Sequence, residues 1–174
     1  YNLFCWGNRD YSLGNFGINP PDGEPTRVNV PEGTKFSSVS SKGNLVCGLT
    51  DENLLYCWGS EYYTGIGRSG HLGWGGVEKL PRHIPSPEGQ EIISFDSNGE
   101  STCYLTNTSR VYCWGSNSFG QLANSSIDGA WGTSVPVEVI INNTGDITMI
   151  SHGSSGVCVA TNQNELFCWG RIML

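Results

Sequence analysis

The stretch Cys47-Gly48-Leu49-Thr50-Asp51-Glu52-Asn53-Leu54-Leu55-Tyr56-Cys57-Trp58-Gly59 decides how the rest of the chain is read. Two cysteines ten residues apart flank a polar turn, and the second opens a Cys-Trp-Gly triplet. The triplet recurs at Cys5-Trp6-Gly7, Cys113-Trp114-Gly115 and Cys168-Trp169-Gly170, in steps of 52, 56 and 55 residues. Cys103 and Cys158 stand ten residues ahead of the last two triplets, as Cys47 does ahead of its own. Self-similarity at such a period means one supersecondary unit copied several times.

Each copy is a β-rich run, a polar turn and a second β-rich run, the signature of a hairpin. Setting Cys47 opposite Cys57 places Glu52 at the midpoint and Leu49 opposite Leu55. The same sum places Thr108 and Gln163 at the midpoints of the other two hairpins. Opposed residues on antiparallel strands have Cα atoms about 4.5–5.5 Å apart, within or near the usual disulfide range of about 4.4–6.8 Å. The spacing therefore predicts the bridges Cys47–Cys57, Cys103–Cys113 and Cys158–Cys168. Cys5 has a triplet and no cysteine ahead of it, so its partner is expected outside this segment. Small buried thiols are the alternative, but identical spacing in three copies argues against them. Zinc would need paired knuckles or clustered histidines. His71, His83 and His152 occupy unrelated positions of their repeats, so neither metal nor cofactor is expected.

Ahead of each hairpin lies another apolar run, beginning at Lys35, Glu91 and Asp146. Before that comes an extended piece marked by Pro25, Pro81 or Pro136, a residue that fits a strand start or an edge strand because it has no N–H to donate. Four short strands per unit, repeated, describe an all-β propeller of four-stranded blades. Residues 1–174 read as one propeller segment of about three blades, with repeats 5–56, 57–112 and 113–167 and a terminal strand at 165–171. Known propellers close with about four to eight blades. The segment is therefore expected to be part of a larger ring and a longer chain, or to assemble with copies of itself.

Trp114-Gly115-Ser116-Asn117-Ser118-Phe119-Gly120-Gln121-Leu122 resembles the repeat of the regulator of chromosome condensation family, W-G-x-N-x-x-G-Q-L-G. Ala123 stands where that family has Gly. The resemblance implies a propeller, usually of seven blades, in which these Trp and Gly residues pack and turn. The added cysteines are similar to a secreted, cysteine-rich branch that includes the ectodomains of Crinkly-type receptor kinases.

Net charge is −7, and the nine Lys and Arg are scattered, which argues against a nucleic-acid groove. No run of 18 apolar residues exists, so no direct membrane insertion by this segment is expected. Regular disulfides imply an oxidising compartment. The sequons at Asn107, Asn124 and Asn142 fall in expected turns and loops, where each could carry an N-linked glycan. Both point to an extracellular or cell-surface glycoprotein.

Carboxylates are spread among turns, and no nucleophile elbow, P-loop or metalloprotease string appears, so no catalytic residues are assigned. Residues 61–77 form the most unusual loop, in which Tyr62, Tyr63, His71 and Trp74 offer a mixed aromatic and polar surface for a protein or sugar. For Trp74, packing over a blade junction is the simpler reading. The sequence thus points to a non-enzymatic structural, adhesion or assembly module working through a protein partner or self-association. A receptor ectodomain and a carbohydrate-binding propeller are the alternatives. Guanine-nucleotide exchange, implied by the family's namesake, is disfavoured by the acidic charge and the cystines.

Overall fold

The computed structural model describes residues 3–6, 24–43, 45–60, 77–124, 127, 132–142 and 144–171. Among them every regular element is a β-strand. β1 (Phe4–Cys5) and β2 (Thr26–Arg27) form a small antiparallel pair. β3 (Phe36–Lys42), β4 (Leu45–Thr50), β5 (Leu55–Ser60) and β6 (Val77–Ile84) form one four-stranded sheet in chain order. β7 (Ile92–Ser97), β8 (Ser101–Thr106), β9 (Val111–Gly115) and β10 (Thr133–Val139) form a second. β11 (Ile147–His152), β12 (Gly156–Thr161) and β13 (Leu166–Gly170) form a third, three-stranded sheet. Every pairing is antiparallel between neighbours in sequence, and β11 lies against β7 as β7 lies against β3. These are blades of a propeller. Each Pro-marked strand pairs back onto the triplet strand before it, so a repeat counted from triplet to triplet contributes to two consecutive sheets.

The hairpins share one construction. Thr50, Thr106 and Thr161 donate their N–H to Leu54, Arg110 and Glu165 O at 2.9, 2.9 and 3.0 Å. The last residue of each three-residue turn has positive φ: Asn53 at 61°, Ser109 at 62° and Asn164 at 61°. This is the tight turn with a left-handed closing residue that joins strands without splaying them. Counting three pairs back from the closing bond places each cysteine pair where no backbone hydrogen bonds are exchanged and strands approach most closely. Cys47 faces Cys57, Cys103 faces Cys113 and Cys158 faces Cys168, each pair joined by a disulfide with Cα atoms 4.1 Å apart. The triplet glycines Gly59, Gly115 and Gly170 have φ of 126°, 100° and 85°, which is why glycine follows each tryptophan. The first strand of each sheet carries a register shift at the same place, between Phe36 and Ser38, Ile92 and Ser94, and Ile147 and Met149.

The core lies between the sheets. Successive side chains on a strand point to opposite faces. One face of β4 and β5, carrying Leu45, Leu49, Leu55 and the Cys47–Cys57 bridge, joins Ile92, Tyr104, Tyr112 and Trp114 of the next sheet. The other face, with Val46 and Trp58, packs on Val28 beside Leu3 and Cys5. The pattern repeats one sheet on, where Leu105, Val111 and the Cys103–Cys113 bridge meet Val157 and Val159, flanked by Phe167 and Trp169. The two later junctions thus each take a disulfide from one sheet and a tryptophan from the next. Coverage on both faces explains why β4 and β8 are buried at every residue rather than alternately. Partners adjust to one another: a Cβ added at Gly48 would lie 2.6 Å from the Phe36 ring. The sheet that follows has Ile92 and Tyr104 at those positions instead.

Candidate functional site

A chain-order meander puts its connections on two rims. One rim carries the hairpin turns at 51–53, 107–109 and 162–164, together with the segments that lead into β3, β7 and β11. On this rim the closing residue of a hairpin reaches the next sheet. Asn53 Nδ2 donates to Glu91 Oε2 at 3.1 Å, and Ser109 Oγ bonds the backbone of Ile147 through both its N–H and its O. Asn107 Oδ1 accepts from Glu91 N at 3.1 Å, and Asn162 Oδ1 accepts from Asp146 N at 3.0 Å. The Glu165 carboxylate accepts from Thr144 N at 2.9 Å, which holds its pKa below the usual range.

The opposite rim brings together an aspartate, a histidine and a serine that the sequence did not connect. Ser101 Oγ and His152 Nε2 are 2.8 Å apart across the junction of two sheets. His152 Nδ1 lies 2.8 Å from Gly153 O, and a carbonyl only accepts, so Nδ1 carries the proton and Ser101 donates to Nε2. Asp96 Oδ2 accepts from His152 N at 2.8 Å, and its Oδ1 accepts from Ser97 N at 2.8 Å. Asn98 Nδ2 donates to Ser154 O at 2.7 Å across the same junction. A hydrolytic triad needs the carboxylate on the imidazole and the hydroxyl open to substrate. Here the carboxylate holds backbone N–H groups, and Ser101 and His152 are buried. The cluster is a clasp between sheets. Burial lowers the His152 pKa, against the opposing pull of the Gly153 hydrogen bond and the Asp96 charge.

The string read from Trp114 to Leu122 is a third piece of junction. Asn117 Oδ1 accepts from Leu122 N at 3.1 Å and Gln121 Oε1 accepts from Phe119 N at 2.8 Å, folding the segment on itself. Trp169 Nε1 donates to Gln121 O at 2.7 Å, and the Arg171 guanidinium lies 5.5 Å from the Phe119 ring centre. Ala123 has φ of 44°, a conformation that costs any residue with a Cβ, and this is the position where the resembled repeat has Gly.

Of the residues singled out from sequence, Asn107 sits exposed at a hairpin turn, Asn142 is exposed ahead of β11, and Asn124 is partly buried. Cys5 has no disulfide partner among the described residues, and burial raises its pKa. Tyr62, Tyr63, His71 and Trp74 lie outside the described residues. No group of three or more potential metal ligands occurs among the described residues, nor does any helix long and apolar enough to cross a membrane.

Residues 92–121 and 109–160 match the family model described as Regulator of chromosome condensation (RCC1) repeat. Residues 92–160 are RCC1 repeats. The chain is 33% identical over 175 residues to "RCC1 domain-containing protein RUG3, mitochondrial" of Arabidopsis thaliana, an alignment covering 97% of this chain and 38% of that protein. Among solved structures, Prp20p of Saccharomyces cerevisiae superposes with a TM-score of 0.81 at 21% identity, covering 98% of this chain and 40% of that one. The ectodomain of the receptor kinase CR4 of Physcomitrella patens gives a TM-score of 0.51 at 20% identity, covering 81% and 32%. At such identities the superpositions show the fold alone. The chain spans about two fifths of the length of RUG3 and Prp20p.

Proposed function

We propose that this RCC1-type array is a protein-recognition module working in an oxidising compartment, outside the cell or on its surface, as a structural, adhesion or assembly component. The observation that carries the compartment is the disulfide repeated at the same closely approaching pair of each hairpin. Exposure of Asn107 and Asn142 supports it, because glycosyltransferase needs the asparagine at the surface. Asn107 uses its Oδ1 in a hydrogen bond to Glu91 N, which leaves Nδ2 for the sugar. Recognition is supported by the use of the buried polar groups as clasps between sheets, which leaves binding to the rims. Prp20p, a protein of the same fold, is described with binding properties to Gsp1p and histones. RUG3 is named as mitochondrial, so the compartment is the sharper half of the proposal.

The test is thiol trapping of the full-length protein in its native source before lysis, followed by peptide mapping with and without N-glycosidase. Six protected cysteines as three hairpin pairs, with deamidated Asn107 or Asn142 after enzyme treatment, are the expected result. Six free thiols and no glycan would sink the extracellular reading while leaving the fold intact.

A further inference from the structure

Each sheet is entered through a turn that docks beneath a hairpin, and the first two of these turns are the same structure. Thr34 N donates to Pro31 O at 3.2 Å, and Gln90 N donates to Pro87 O at 3.1 Å. Gly33 and Gly89, with φ of 89° and 73°, precede them. One residue on, Lys35 O and Glu91 O accept from Asp51 N and Asn107 N at 3.0 and 2.9 Å. Thr34 therefore stands where Gln90 stands in the next repeat.

In that next repeat the Gln90 carboxamide fills the space under the hairpin. Its Oε1 accepts from the hydroxyls of Thr106 and Thr108, both at 2.9 Å, and its Nε2 donates to the Tyr112 hydroxyl at 3.1 Å. In the third repeat Gly145 takes the place, and Gln163 of the hairpin folds against it, since a Cβ added at Gly145 would lie 2.5 Å from Gln163 Cγ. In the first repeat neither plug exists. Thr34 is short, and its Oγ1 turns away to Pro31 O at 2.8 Å. What remains is a cavity of about 250 Å³ lined by Thr34, Lys35, Thr50, Asp51, Glu52 and Tyr56, among others.

We propose that this cavity binds a guanidinium group, the arginine side chain of a protein partner. The hydroxyls of Thr50 and Tyr56 stand at the positions of Thr106 and Tyr112, which hold a planar amide in the neighbouring repeat. Two substitutions between the repeats change which planar group fits. Glu52 replaces Thr108, so a hydroxyl that donated to Gln90 Oε1 becomes a carboxylate that only accepts. Asp51 replaces Asn107 and again removes donors. An occupant that must both donate and accept loses a partner, whereas guanidinium carries five N–H donors and no acceptor. Glu32, Asp51 and Glu52 face one ammonium, that of Lys35, on the lining. The chain's net charge of −7 would draw a basic partner toward it. A planar fork of donors suits carboxylates and hydroxyls better than the point charge of lysine.

The arginine-bearing partner rests on the protein-recognition reading; the cavity's chemistry does not, and a small probe separates the two. The experiment is titration of the full-length protein with N-acetyl-arginine amide, followed by calorimetry or NMR, beside the neutral isostere N-acetyl-citrulline amide. Saturable, salt-weakened binding of the arginine probe is expected, with citrulline at least about tenfold weaker, as loss of a charge-assisted bond requires. Thr34→Gln installs the plug of the neighbouring repeat and is expected to abolish binding without lowering the unfolding midpoint. Glu52→Thr is expected to weaken binding about tenfold. Equal binding of the two probes, full-strength binding by Thr34→Gln, or no saturable binding at all would each overturn the proposal. Probe binding with the wild-type pattern but no protein partner in any cross-linking experiment would instead count against the recognition reading and leave the cavity's assignment standing.

Discussion

β9 and β13 are nearly the same strand and end in opposite surroundings. Val111-Tyr112-Cys113-Trp114-Gly115 and Leu166-Phe167-Cys168-Trp169-Gly170 share their pattern, their hairpin and their disulfide. Yet Val111 is 1% exposed and Leu166 is 71% exposed, while Cys113 is fully buried and Cys168 is on the surface. The difference is the sheet β11–β13, which lies against one face of β9; no described residue lies likewise against β13. A sheet of this fold does not bury its own side chains. Burial belongs to the junction, and a strand has it only where a neighbour supplies the other wall.

The largest expected effect follows from that difference. In the full-length protein, Leu55→Ala removes a side chain with 0% exposure and is expected to cost about 2–5 kcal/mol in urea unfolding. Leu166→Ala, at the equivalent position, is expected to stay within about 0.5 kcal/mol where residues 1–174 are unfolded alone, and to rise toward the Leu55 value in a longer chain whose next sheet covers β13. Equal costs in residues 1–174 alone would break the comparison and show that another body covers β13. Next come the bridges. Each closes a loop between cysteines ten residues apart, so replacing both members of Cys103–Cys113 by serine is expected to cost about 2–3 kcal/mol. Under graded reduction of residues 1–174 alone, followed by differential alkylation, Cys158–Cys168 is expected to open before the two buried bridges. Its opening last would again mean that β13 is covered. A smaller, opposite effect is expected from Ala123→Gly. Relief of the positive φ at the end of the segment that packs on β13 is expected to raise stability by about 0.5–1 kcal/mol, read as a higher urea midpoint.

The smallest effect is one of pH. Burial depresses the His152 pKa below its ordinary 6.5, so below that pH the unfolded chain binds a proton that the folded clasp resists. Stability from this group is complete above about pH 6.5 and is lost as pH falls through that value toward the folded pKa. His152→Gln is expected to flatten the stability curve between pH 7 and 5, and an unchanged slope would refute the clasp's role. Because Asp96 and Ser101 face this imidazole, the measurement is best paired with Ser101→Ala, which removes the hydroxyl and keeps the ring.

Much of this was legible in the sequence wherever one repeat could be laid on another. The cysteine register followed from spacing, because the closing bond at Thr50, Thr106 and Thr161 fixes every pair behind it. Asn53 and Asn164 are residue types that tolerate the left-handed turn, and Ala123 already stood out against the resembled repeat. Other features depend on what the chain returns to. The direction each strand face takes, forward to the next sheet or back, is absent from an alternating pattern. The Ser101–His152 bond joins residues 51 apart that occupy different positions of their repeats, so no motif marks it. The space beneath Thr34 could have been suspected by aligning Pro31–Thr34 with Pro87–Gln90 and noting the missing carboxamide. That it is open rather than closed by another side chain is a matter of packing.

The hairpin bridges also bear on force. A chain pulled from its ends lengthens by about 3.3–3.6 Å for each residue set free. Each bridged loop of ten steps, already spanned by cysteines 4.1 Å apart, withholds roughly 30 Å of that length while oxidised. With three such loops, a stretched chain would stop short by about 90 Å of its reduced length and then recoil from there. The redox state of the surroundings would thereby set how far the chain can lengthen before load passes to its neighbours.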